Sequence, residues 1–145
     1  MTQPTRPDNW NQPIIEEFRA NDGKVGGYFA GASMILIHAI GARSGIERVN
    51  PVVYLPDGED MVIAATKGGS PTNPDWYHNL KAHPRIQVEV GTETFPVEAT
   101  EVTGAERDEL WRRFVELRPG FAEYEKKTTR VIPLFRLQRV AHQPS

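Results

Sequence analysis

Cysteine is absent from the 145 residues. That excludes disulfides, a thiolate nucleophile and thiolate-ligated metals. It also fits a cytoplasmic protein, which is the expected compartment. A basic excess is missing too: 17 Lys and Arg stand against 19 Asp and Glu, a net charge of −2. A nucleic-acid partner is therefore not expected, because phosphate contacts need surplus cations. No apolar run approaches the roughly 18 residues of a membrane-spanning helix. The opening MTQPTRPDNW lacks the apolar core of a secretory signal. The common chemical motifs are also missing. There is no P-loop, GxGxxG or HExxH, and Gly23, Gly26, Gly27 and Gly31 are too irregular for a dinucleotide fingerprint. His38, His78, His83 and His142 include no pair at helical metal spacing, so no metal site is expected. No serine has the setting of a nucleophile elbow.

What is present suits one compact domain, since domains typically hold roughly 100–200 residues. Twelve Gly and twelve Pro imply many turns between short elements. Residues 1–9 read as a tail. Trp10, Ile14 and Phe18 follow at four-residue spacing, with Pro13 in the first turn of a short helix ending near 21–23. That helix carries Glu16 and Glu17 against Arg19, whereas a membrane-surface helix is richer in cations. Peripheral membrane contact has little support beyond this. Runs at 33–40, 48–55 and 60–66 are rich in Val, Ile, Ala and Tyr, and turn signals at 41–45 and 56–58 separate them. Ile86, Val88 and Val90 alternate, Gly91-Thr92 makes a two-residue hairpin, and Phe95, Val97 and Ala99 return. Pro96 points to an edge strand or a bulge. With 132–140 this makes about six strands, mostly hairpin-linked.

Asn73-Pro74-Asp75 reads as cap, first-turn proline and early acid of a second helix. Thr103 and Glu106 read as a capping box before the apolar stripe Leu110, Trp111, Phe114 and Leu117. Pro119-Gly120 ends that helix, and 121–126 makes another helical turn. The expected fold is mainly β: a small antiparallel barrel with helices against its sides.

A polar cluster gathers at strand ends. Arg43 and Ser44 lie in the first Gly-bounded loop, Arg48 and Asn50 begin the next strand, and Thr66, Lys67, Gly68 and Gly69 follow the third. Gly-rich turns expose N–H groups and the cations add point charges, so the set can hold a phosphate or form ordinary basic turns. Asn50-Pro51 is the other oddity. Proline removes a ladder donor, so this strand is locally unpaired or at an edge. Backbone freed there can face a ligand, or the proline can simply curve the barrel.

These segments, in order, resemble the deazaflavin-dependent nitroreductase and quinone reductase family, a branch of the split β-barrel flavin-binding proteins. The matching stretches are G-A-R-S-G at 41–45, R-V-N-P-V-V-Y-L at 48–55, D-G at 57–58, A-A-T-K-G-G at 64–69, N-P-D-W-Y-H-N-L at 73–80 and T-R-V-I-P-L-F-R-L at 129–137. The resemblance runs from about Gly23 to Arg139. It implies a six-stranded split barrel over residues 23–141, preceded by a tail and short helix over 1–22. It also implies coenzyme F420, a deazaflavin with a phosphate and an acidic tail; FMN is the alternative cofactor.

By that similarity, Arg43, Ser44 and Arg48 hold the phosphate and tail. Val49, Asn50, Pro51, Val52 and Val53 run along the deazaflavin. Ala64, Ala65, Thr66, Lys67 and Gly68 bind the ring and ribityl portion, and Trp76, Tyr77 and Asn79 close the site. The implied reaction is hydride transfer from F420H2 to a small-molecule acceptor, a quinone, enone or nitroaromatic. Thr66 and Tyr124 are the catalytic candidates, Thr66 either assisting proton delivery or only hydrogen-bonding the ring. Arg118, Phe121 and Tyr124 are the acceptor-binding candidates. Family nitroreductases carry several tyrosines in that last segment, whereas here it reads R-P-G-F-A-E-Y-E. Arg118 suits a more polar acceptor, or Phe121 and Tyr124 simply pack the helix connection. A flavin oxidoreductase and a non-catalytic deazaflavin carrier are the competing functions. Dimerisation stays open.

Overall fold

The structure is a computed structural model. It describes residues 6–26, 33–66, 73–128 and 131–140, with side chains from residue 12 onward in the first helix. Six antiparallel strands close into a barrel: β1 (Met34–Ile40), β2 (Glu47–Asp57), β3 (Asp60–Ala64), β4 (Arg85–Val90), β5 (Glu93–Val102) and β6 (Leu134–Arg139). Around the barrel the order is β1-β2-β3-β6-β5-β4. Four helices flank it: α1 (Arg6–Ala20), α2 (Asp75–Ala82), α3 (Gly104–Leu117) and α4 (Phe121–Lys126).

Period-two alternation sorts the side chains into an inside and an outside. Ile35, Ile37 and Ala39 of β1, Val88 of β4, Val97 of β5 and Leu137 of β6 fill the interior, which Trp76 and Leu80 of α2 also join. On the outside, Leu55, Val62, Ala64, Val102 and Leu134 pack beneath Leu110, Trp111 and Phe114 of α3. A second outer face, Met34, Leu36 and Val53, packs beneath Ile15 and Phe18 of α1. The helices thus cover apolar strand faces that a bare barrel would expose to water.

Several sequence expectations need correction. The first helix begins at Arg6, so Pro13 lies inside it rather than in its first turn. Proline there deletes one intrahelical donor. The helix continues because Ile15 and Phe18 dock on the barrel, and docking supplies most helical stability in proteins. Residues 1–5 and the Trp10 side chain lie outside what is described. The N-cap of α2 is Pro74, in extended conformation, one residue later than read. Thr103 is the N-cap of α3 but makes no side-chain cap bond. Its expected partner Glu106 instead accepts from Arg136 Nη2 at 2.8 Å, a charge-assisted bond that outcompetes a neutral amide. Pro96 is on neither an edge nor a bulge: β5 lies between β4 and β6, and Pro96 pairs with Gln87. Its carbonyl accepts from the Val140 N–H at 3.0 Å, just past the last β5–β6 pair, so its missing donor falls where that ladder ends.

Asn50-Pro51 behaves as the proline predicts. β2 pairs with β1 over residues 47–53, but with β3 only from Tyr54 to Asp57. Among the described residues, the first half of β2 therefore has no ladder partner on its β3 side. Past Ala64, the Ala65 N–H donates to the Pro133 carbonyl, carrying the β3–β6 ladder one residue further with no β2 pair beside it among the described residues. The barrel is closed at one end of this seam and split at the other.

Candidate functional site

The split is bounded by the β1–β2 loop, the free half of β2 and residues 64–66. The loop is tied tightly. Gly41 N–H donates to the Ile46 carbonyl, Gly45 N–H to the Gly41 carbonyl, and Ile46 N–H to Ser44 Oγ. Gly45 has φ +72°, a left-handed turn position that glycine adopts freely. Arg43, Ser44 and Arg48 are exposed. Among the described residues, neither Arg43 nor Arg48 is in an ion pair, whereas Arg19, Arg112, Arg113, Arg136 and Arg139 each hold a carboxylate. Two guanidinium groups beside a free strand edge are suited to an anion.

The alternation of β2 divides its candidate residues. Val52 packs against the barrel interior, and Val49 and Val53 belong with the cluster under α1. Asn50 pairs with Ile37 and Pro51 with Leu36. Across the split, Ala64 and Ala65 are buried and Thr66 is half-buried. Lys67 and Gly68 lie outside the described residues.

α2 joins this region through Asn79, whose Oδ1 accepts from the Ala42 N–H at 2.9 Å. This bond brings the 73–80 segment to the 41–45 loop across 37 residues of sequence. Trp76 is buried in the barrel core, edge-on to Phe135 with centroids 6.3 Å apart. Tyr77 also meets Phe135 edge-on, and its hydroxyl lies 3.4 Å from Glu101 Oε1.

The α3–α4 turn presents the remaining candidates. Phe121 stacks on Phe114 at 5.3 Å between centroids, with Trp111 at 6.2 Å and Tyr124 at 5.4 Å. Phe121 packs against both outer clusters, so it reaches the one holding Val49 and Val53. Leu117, Arg118, Pro119, Gly120 and Phe121 line an open recess of about 300 Å³. The structure thus brings Phe121 to the outer cluster that includes Val53, and Asn79 to the loop of Arg43.

One charged group went unnoticed in the sequence. His38 of β1 lies 2.7 Å from Glu89, which also takes a two-pronged contact from Arg19 of α1. The Arg19 guanidinium holds the Glu89 carboxyl below the usual carboxylate range, and His38 acts in the same direction. No local spacing signals this trio, because its members stand 51 and 70 residues apart from Glu89.

Comparison with known proteins agrees with this architecture. The family model for F420H(2)-dependent quinone reductase matches residues 10–139. An F420H(2)-dependent quinone reductase of Mycobacterium tuberculosis strain H37Rv is 36% identical over 126 residues, 84% of this chain and 85% of that one. A solved F420-H2 dependent reductase, FDR-A, is 36% identical with a TM-score of 0.68, covering 78% of this chain and 100% of the other. Another solved structure, a domain-swapped dimer, is 33% identical with a TM-score of 0.70, covering 91% and 99%.

Proposed function

Because the chain belongs to the F420H(2)-dependent quinone reductase family, an oxidoreductase family using coenzyme F420, we propose that it reduces a quinone, enone or nitroaromatic compound with F420H2. Bound at the split, the reduced deazaflavin supplies a hydride, a two-electron donor. The chain's own residues bind, orient and exclude water. Arg43 and Arg48 hold the anionic phosphate and tail, with Ser44 next to Arg43 in the β1–β2 loop. The free edge of β2 from Val49 to Val53 and the Ala64–Thr66 segment flank the ring, and the family resemblance adds Lys67 and Gly68 as cofactor-binding residues. Asn79 fixes the loop carrying Arg43, and Trp76 and Tyr77 brace that end of the barrel.

The acceptor lies at the α3–α4 turn, against Phe121, with Arg118 and Tyr124. The observation that carries this reading is that Phe121 packs into the cluster containing Val49 and Val53. Acceptor and cofactor residues then meet across one apolar surface, as hydride transfer requires. Reduction also consumes a proton. The Tyr124 and Thr66 hydroxyls are the proposed groups for holding it near the product oxygen. A hydroxyl is a weak acid, so it relays solvent protons rather than supplying its own.

The test is an F420 titration followed by an acceptor screen with menaquinone analogues, enones and nitroimidazoles. Oxidation of F420H2 that depends on acceptor is the expected result. Binding without turnover across the panel refutes the reductase reading. Tyr124→Phe should change kcat or KM for the acceptor and leave F420 affinity intact. A change in cofactor affinity alone would overturn this division of the site.

A further inference from the structure

His38 lies on β1 opposite Val49 of β2 and Gln87 of β4. Its side chain is 15% exposed and meets a carboxylate at each ring nitrogen. Nε2 is 2.7 Å from Glu89 Oε2 on β4, and Nδ1 is 3.3 Å from Glu47 Oε1 at the start of β2. Glu89 also binds Arg19 of α1, with Nη2 2.6 Å from the same Oε2. Glu47, Glu89 and Arg19 are thus the charged groups around the ring from β2, β4 and α1. Asp22 and Glu93 line the recess beyond Arg19.

A neutral imidazole has one N–H and can donate to only one of two carboxylates. The imidazolium donates at both nitrogens. Glu89 is bound from two sides, whereas the Glu47 side chain is 54% exposed, so the Glu47 arm depends on the second proton. That arm matters because, among the described residues, 47–53 have a ladder on the β1 side only.

We propose that His38 is a positioning residue whose imidazolium ties Glu47 to Glu89 and so fixes the first residues of β2, where Arg48 follows. The link to affinity rests on the proposed anion-binding role of Arg48; the tie itself does not. Histidine titration ordinarily spans about pH 5 to 8. Order at the start of β2 therefore falls as the ring loses its second proton.

Two measurements on the full chain test this across that range. Nitrogen-15 imidazole NMR follows His38, and hydrogen exchange, corrected for its intrinsic pH dependence, follows residues 47–53. Protection should fall with His38 deprotonation in the wild type. In His38→Gln and Glu47→Gln it should be low throughout and insensitive to that titration. The F420 dissociation constants of both variants, divided by the wild-type value at each pH, should show roughly threefold to tenfold weakening at the acid end and converge on one at the alkaline end. Taking ratios cancels titration of the cofactor itself. Glu47→Gln alters an exposed side chain, so the test survives if His38→Gln fails to fold. Protection that follows pH identically in wild type and Glu47→Gln would overturn the proposal; affinity ratios that stay flat while protection differs with pH would instead overturn the anion-binding role of Arg48. If the wild type bound no F420 at any pH, the cofactor reading would fail, and exchange would still decide the His38 tie.

Discussion

Removing the Arg48 guanidinium gives a direct reading of the split as an anion site. Arg48→Ala breaks no ion pair among the described residues, so the change should register in binding rather than in folding. A charge-assisted contact is worth about 1.5–3 kcal/mol. Arg48 is exposed, and solvent and salt screen such a contact, which brings the expected loss to about 1–2 kcal/mol. That corresponds to roughly five- to thirtyfold weaker F420 binding. Arg43→Ala should behave alike, because its side chain is also exposed and without an ion-pair partner among the described residues.

The control is Arg112→Ala, which removes the same charge from the solvent face of α3, where Arg112 pairs with Glu109 and Glu116. Fluorescence titration at several salt concentrations separates the cases. Both site variants should lose affinity and flatten its salt dependence, while Arg112→Ala should match the wild type. Unchanged affinity in both site variants, or an equal loss in Arg112→Ala, would refute the reasoning and place the cofactor's anionic groups elsewhere.

Two further outcomes concern stability. Gly23 has φ +91°, and a Cβ there would come within 2.7 Å of the Gly91 Cα, where the exit of α1 meets the β4–β5 hairpin. Gly23→Ala should cost about 2–4 kcal/mol, whereas Gly58→Ala, at φ +63° with open space, should cost only about 1–2 kcal/mol; urea midpoints compare the two. The Asp57 carboxyl is held below its ordinary range by Arg113, then by Arg136. The unfolded chain therefore binds more protons in acid. The contribution is fully present above the ordinary Asp range and is lost as pH falls through the depressed folded value. Asp57→Asn should flatten the acid limb of melting temperature against pH, and an unchanged limb would exclude Asp57 as its source.

Much of the barrel is legible in residue order. Alternation at Ile86, Val88 and Val90, and again at Phe95, Val97 and Ala99, needs only period two. The Gly91-Thr92 turn between them needs only positive φ at glycine, which is found at +59°. Pro51 likewise announces an interrupted ladder. Errors came where a local preference met a distant competitor. Glu106 leaves the expected capping box for Arg136, 30 residues away, and Pro96 is absorbed because closure removes the edge it seemed to mark.

The sequence by itself determined the strand set, the paired turns and the family, because each depends on residues close along the chain or on motifs in fixed order. Only the tertiary structure decided that Asn79 secures the loop of Arg43, that Phe121 packs against the outer cluster that Val49 and Val53 also join, and that His38 stands between two glutamates. Those contacts join elements far apart in sequence, and closing the barrel is what brings them within reach. Among the described residues, Arg43 and Arg48 are also left without carboxylates while Arg19, Arg113 and Arg136 are paired, a distinction that counting charges to a net of −2 could not make.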